Sequence, residues 1–142
     1  MTHPSPSVRE KRDAFRALHE KTFVMPNPWD RGSARILASL GFPALATTSA
    51  GFANSLGRPD GGITRDDAIG QAAEIVDATA LPVSADLENG FGDAPEDAAV
   101  TIRAALAAGL AGCSIEDWSG EALYEIDAAT DRIRAAVAAN GD

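Results

Sequence analysis

Pro82-Val83-Ser84-Ala85-Asp86-Leu87-Glu88-Asn89-Gly90-Phe91-Gly92-Asp93 reads as a strand that runs straight into an acidic turn. Its entry, Leu81 to Val83, is apolar, and Asp86 and Glu88 follow two residues apart. In a strand, residues at that spacing point to the same face, so both carboxylates project together from the strand's end. Gly90 and Gly92 break the chain into a tight loop, and Pro95-Glu96-Asp97 opens a helix. Neighbouring carboxylates repel unless something positive sits between them. A hard divalent cation suits that place, because Mg²⁺ takes oxygen ligands and keeps several waters. Ala111 to Ile115 repeats the pattern, small or apolar, and ends at Glu116-Asp117.

Outward from this stretch, strand and helix patterns alternate. Val8 to Glu20 carries apolar Val8, Phe15 and Leu18 among charges, which predicts an exposed helix with a narrow apolar stripe. A strand is expected at about 23–27, followed by the loop Asn27-Pro28-Trp29-Asp30. A helix over Ser33 to Leu40 stops at Gly41. A strand over Pro43 to Thr48 leads into a long loop, Ser49 to Gly62, holding Gly51, Gly57, Gly61 and Gly62. Thr64 with Asp67 forms a capping-box pattern for a helix from about Arg65 to Thr79. The next strand is Pro82 to Glu88, then a helix from Pro95 to Ala108 that ends at Gly109. A strand over Gly112 to Glu116 and a helix from about Ala128 to Ala139 complete the pattern. Such alternation means an α/β fold with parallel strands joined by helical crossovers.

The 142 residues suffice for one domain with a core, and no linker divides them; residues 1–7 read as a flexible tail. A formal charge of −9 argues against nucleic acid and against anionic membrane surfaces, which need basic patches. An anionic small substrate stays compatible, because a bound cation reverses the local sign. Cys113, the lone cysteine, cannot form an internal disulfide, which fits a reducing cytoplasm. Met1 to Ser7 is polar and lacks the apolar core of a signal peptide, so cytoplasmic location is the expectation.

Each motif has a plainer alternative. An Asp-x-Glu can simply cap a helix or solvate a loop. Position favours more: ligands of parallel α/β folds bind at the carboxyl ends of strands, and Glu116 supplies a third acid there. Gly90-Phe91-Gly92 is not a dinucleotide fingerprint, since Pro95 stands where its third glycine belongs. Thr47 to Gly51 is small enough for backbone N–H groups to approach an anion, or is an ordinary polar loop. Asp60 reads as a turn aspartate, and Cys113 as a small core residue in a buried strand. His3 and His19 are not placed for catalysis, and the chain shows no nucleophile elbow, P-loop or zinc cluster.

Taken together, several segments in order resemble the isocitrate lyase / phosphoenolpyruvate mutase superfamily. They are Asn27-Pro28-Trp29-Asp30 with Ser33-Ala34-Arg35, Gly41-Phe42, Ala46 to Gly51, Ser55 to Gly61, Pro82 to Gly92, and Gly112 to Asp117. The resemblance implies a (β/α) barrel of TIM type, here about its first half with four strands in chain order. It implies Mg²⁺ at the barrel's C-terminal mouth, a small α-keto or hydroxy carboxylate as substrate, and C–C or C–P bond chemistry through an enolate-like intermediate. Asp86, Glu88 and Glu116 match the family's metal acids, and Asp60 matches an aspartate near the metal and its waters. The backbone around Thr48, Ser49 and Ala50, with Asp86, matches the part that holds the substrate.

Two departures qualify this. The lyase branches carry Lys-Lys-Cys-Gly-His after the fourth strand, where this chain has Trp118-Ser119-Gly120-Glu121-Ala122-Leu123. A full barrel also needs about 250 residues. The rival expectation is therefore a catalytically silent half-barrel. Its open strand edges, near Phe23-Val24 and Cys113 to Ile115, predict homo-oligomerisation.

Overall fold

In the computed structural model, which describes residues 5–141, the chain runs α1 (Val8–Leu18), α2 (Arg31–Ser39), β1 (Leu45–Ala46), α3 (Ser49–Ser55), α4 (Arg65–Ala78), β2 (Val83–Asp86), α5 (Pro95–Ala107), β3 (Gly112–Ser114) and α6 (Ile126–Asn140). The strands form one three-stranded parallel sheet in chain order, β1-β2-β3. Leu45 pairs with Val83, and Asp86 pairs with Ser114. Parallel neighbours require crossovers, which α3 and α4 supply between β1 and β2 and α5 supplies between β2 and β3. The carboxyl ends of all three strands therefore open on one side.

Local chemistry sets the helix ends. At the start of α4, Asp67 N–H donates to Thr64 Oγ1 at 3.2 Å and Thr64 N–H returns a bond to Asp67 Oδ2 at 3.0 Å, the expected capping box. Pro95 opens α5, where its missing N–H costs nothing. Gly109, at φ +80°, turns the chain out of α5. The core under the sheet is Ala34, Leu45, Ala72, Ile75, Val83, Ala85, Leu87, Ala105 and Leu110.

Helix α1 closes the opposite, amino end of the sheet. Lys11 Nζ donates to Thr79 O at 3.0 Å, and Arg12 Nε donates to Leu110 O at 3.2 Å. Phe15 lies so close to Gly112 that a Cβ there would stand 2.5 Å from its ring. Ser7 is the N-cap of α1, and residues 1–4 of the expected tail lie outside the described residues. Among the described residues no helix is long and apolar enough to cross a membrane.

Three expectations need correction. The segment 23–27 makes no strand pairing; it meets the end of β1 through the Ala46 N–H on Pro26 O, at 3.1 Å, and through Asn27 Nδ2, which donates to Ala46 O at 3.1 Å and Thr47 O at 3.3 Å. Pro26 and Pro28 have no N–H to give a ladder. The supposed loop from Ser49 contains α3, capped by Thr48 Oγ1, which accepts from Gly51 N–H at 3.3 Å. Gly51 is not a breaker there: a Cβ would lie 2.5 Å from Trp29 Nε1, so the glycine lets the indole pack onto the helix. Cys113 is exposed rather than core, because β3 is the open edge of the sheet.

Candidate functional site

Asp86 ends β2, and Glu88 follows on a backbone bent into the left-handed region, φ +47°. Two backbone donors aim the Asp86 carboxylate: Ser49 N–H to Oδ2 at 2.9 Å and Glu88 N–H to Oδ1 at 3.2 Å. Each oxygen keeps a further lone pair for a cation or water. Asp86's own N–H donates to Thr47 Oγ1 at 3.0 Å, which locks β2 to the end of β1. Beyond the ladder, Glu116 N–H donates to Glu88 O at 2.7 Å, so the second acidic turn is stitched to the first.

Glu88, Glu116, Asp60 and Ser49 line one cavity of about 330 Å³ at the carboxyl ends of the strands, with Trp118 to Gly120 along its rim. Asp60 reaches it from the turn after α3, where Gly61 N–H donates to its Oδ1 at 3.0 Å. Burial pushes the Glu88 carboxyl above its usual range, and the charges of Asp86, Asp60 and Glu116 push further. Glu116 is raised in the same way, by burial and then by Asp86, Asp60 and Asp117. Buried Glu88 Oε1 has no hydrogen-bond partner. A buried carboxylate oxygen without a donor is costly, and here its neighbours are anions.

Among the described residues no three His, Cys, Asp or Glu side chains stand close enough to hold a metal ion by themselves. Of the expected substrate contacts, Ser49 lines the cavity, whereas the Thr48 side chain is spent on its cap, Ala50 lies off the lining, and so does Asp86, whose carboxylate accepts from Ser49 N–H and Glu88 N–H. The rim segment that replaces the lyase loop is a short hairpin, with Trp118 bridged to Leu123 and Ser119 Oγ donating to Ala122 O at 2.9 Å.

The loop from Asn89 to Ala94 is held from behind by residues that the sequence reading missed. From α4, Arg65 donates to Gly90 O and Phe91 O at 3.4 and 3.3 Å; from α5, Thr101 Oγ1 donates to Gly90 O at 2.6 Å. From α6, Arg132, only 1% exposed, donates to Asn89 O, to Gly92 O at 2.7 Å and to Ala94 O. Tyr124 lies against Arg132, its ring centroid 4.4 Å from the guanidinium carbon. The Tyr124 hydroxyl accepts from Asn89 Nδ2 at 2.9 Å and donates to Asp93 Oδ1 at 2.6 Å. Burial and then Asp93 push that hydroxyl's pKa up, which keeps it a neutral donor.

The profile of the family described as phosphoenolpyruvate phosphomutase matches residues 15–142. The 2-methylisocitrate lyase of Escherichia coli K12 is 33% identical over 149 residues, covering 96% of this chain and 50% of that protein. A crystal structure described as a candidate lyase/mutase from Burkholderia cenocepacia J2315 superposes with a TM-score of 0.91 at 55% identity, covering 93% of this chain and 50% of that one. A phosphonopyruvate hydrolase solved with oxalate and Mg²⁺ shares the fold, with a TM-score of 0.87 at 22% identity, covering 93% and 49%. The chain thus spans about half the length of the relatives it matches.

Proposed function

The chain belongs to the phosphoenolpyruvate phosphomutase family, within the isocitrate lyase / phosphoenolpyruvate mutase superfamily, and its sheet is part of a (β/α) barrel; from that premise we propose that its acidic mouth binds one hydrated Mg²⁺ together with a small α-keto or hydroxy carboxylate. The observation that carries this is Glu88: a buried, unpartnered carboxylate oxygen among three further acids. The donor set is all carboxylate, which suits a hard cation. That no three acids converge fits an ion held largely through its own waters. Asp86, Glu88 and Glu116 would hold it, Asp86 already aimed by two N–H groups.

When bound, Mg²⁺ supplies a Lewis acid for negative charge developing on a substrate oxygen. The chain supplies the rest. Ser49 and its neighbours Thr48 and Ala50 present the backbone against which the substrate carboxylate lies, with Asp86 at its edge. Asp60, exposed in the mouth and fixed by Gly61 N–H, is positioned to share a proton with a bound water. Neither Cys, His nor Lys lines the cavity, so a lyase reaction needing a thiol acid is a poor fit. Lyase or mutase chemistry on a C–C or C–P bond without that thiol is the reading offered.

The second reading is a catalytically silent half-barrel, favoured by the unpaired outer edge of β3. It goes with self-association through a second copy at the open β3 edge, where Ile126, Ile133 and Val137 of α6 are 82%, 46% and 66% exposed. Turnover over a panel of small keto and hydroxy acids separates the two. The enzyme reading expects product only with Mg²⁺ present, and loss of it in Asp60→Asn; no turnover on any acid at any Mg²⁺ level leaves the silent form. Sedimentation of the same sample reports whether it self-associates.

A further inference from the structure

Two non-glycine residues of the loop after β2, Glu88 at φ +47° and Phe91 at φ +60°, occupy the left-handed region. L-residues rarely rest there unless the surroundings impose it. Local bonds set part of that shape, Glu88 N–H on Asp86 Oδ1 at 3.2 Å and Phe91 N–H on Asn89 Oδ1 at 3.0 Å, and Arg65 donates to Phe91 O; the rest of the hold on the loop comes from α6 and the turn before it. Arg132 buries its guanidinium and spends it on backbone carbonyls of Asn89, Gly92 and Ala94. A buried cation stripped of water is costly unless its donors are met, and here the loop's carbonyls meet them. Their acceptance fixes which way each peptide plane of residues 89–94 faces. Tyr124 completes the hold, covering the guanidinium with its ring and fixing Asn89 and Asp93 with its hydroxyl. Tyr124 N–H also donates to Asp117 O at 2.9 Å, so the same residue is anchored to the turn that carries Glu116.

We propose that Tyr124 and Arg132 are positioning residues that tie the two acid-bearing turns together and hold Glu88 toward the mouth at the spacing a hydrated divalent cation needs. This rests on the cation-site reading above. Neither residue touches the cavity, so their effect on a bound cation acts through the backbone of the loop. Groups that orient metal-bearing side chains in this way typically cost about 10–100-fold in metal affinity when removed.

The test uses the whole chain with Mn²⁺ as the probe, followed by electron paramagnetic resonance, and amide hydrogen exchange over residues 88–94. Tyr124→Phe keeps the ring over Arg132 and removes only the hydroxyl. It should keep the parent's circular dichroism, exchange faster over 88–94 and bind Mn²⁺ about tenfold more weakly. Arg132→Lys, which keeps the charge and loses the planar fork, should move both readouts the same way. Faster exchange with unchanged Mn²⁺ affinity would overturn the positioning role and leave a purely structural one. Unchanged exchange in Tyr124→Phe would overturn it as well. If the parent itself binds no Mn²⁺, the cation reading falls, and the exchange of 88–94 alone decides whether Tyr124 holds the loop.

Discussion

The back of the loop after β2 is cationic and satisfied, whereas its front is anionic and short of partners. Behind it, Arg65, Arg132 and Thr101 meet the carbonyls of Asn89 to Gly92 and of Ala94. In front, Asp60, Glu88 and Glu116 line one cavity and Asp86 acts on the two glutamates by its charge; both glutamates have raised pKa values, and Glu88 has a buried oxygen left unpaired. A fold that can satisfy every carbonyl on one face of a loop does not leave the other face unmatched for want of means. The arginines are spent on backbone rather than on the acids two residues away. The unmatched face is the one to which the proposed cation is assigned.

The largest expected effect breaks the satisfied side. Arg132→Ala strands three carbonyls and opens a side-chain-sized void, which should cost about 3 kcal/mol or more and lower the melting temperature by roughly 10 °C or more. A fall of only a degree or two, measured by calorimetry, would mean that the back face matters little. A smaller effect of opposite sign comes from the front. Glu88→Gln removes a half-buried charge that faces other anions, so without metal the variant should melt a few degrees higher than the parent. An apo variant less stable than the parent would show that Glu88 has a partner after all.

The smallest effect sharpens the contrast by pH. Glu88 and Glu116 are raised by burial and then by neighbouring acids. Their contribution to stability is therefore full below the ordinary carboxylate range and is lost as pH rises through their folded values. Asp67 and Asp30 are lowered, chiefly by backbone hydrogen bonds from Thr64 and Ser33, so theirs is present above that range and lost on acidification. The Glu88→Gln advantage should thus vanish near about pH 4 and grow toward about pH 7.5. A constant difference across that window would disconnect it from the carboxylate.

The front face was legible in the sequence and the back was not. Asp86 at the end of β2 and Glu116 after the parallel β3 were legible as acids on one side, but the strand stops at Asp86 and Glu88 reaches the cavity on a left-handed turn that a two-residue strand period does not contain. The match of the ordered motifs to the family stands as well. Arg65, Arg132 and Tyr124 gave no such signal. Their partners are backbone carbonyls 25 to 43 residues away along the chain for the arginines, and an arginine in a helix pattern reads as solvent-facing. The one available hint was position: Arg132 lies four residues before buried Ala136, on the face of α6 that packs inward. The strand expected at 23–27 was misread because Pro26 and Pro28 were not weighed as missing donors, while α3 was hidden because Gly51 serves the contact with Trp29 rather than a turn.

The central claim, that the unmatched acids form a single cation site, is tested most directly by titrating Mg²⁺ while following the melting temperature of the parent and of the double variant Asp86→Ala, Glu88→Ala. The parent should show a saturable rise, about 2.7 kcal/mol of added stability at a hundredfold excess over the dissociation constant, and the double variant none. An equal rise in both chains, or no rise in the parent, would contradict the account.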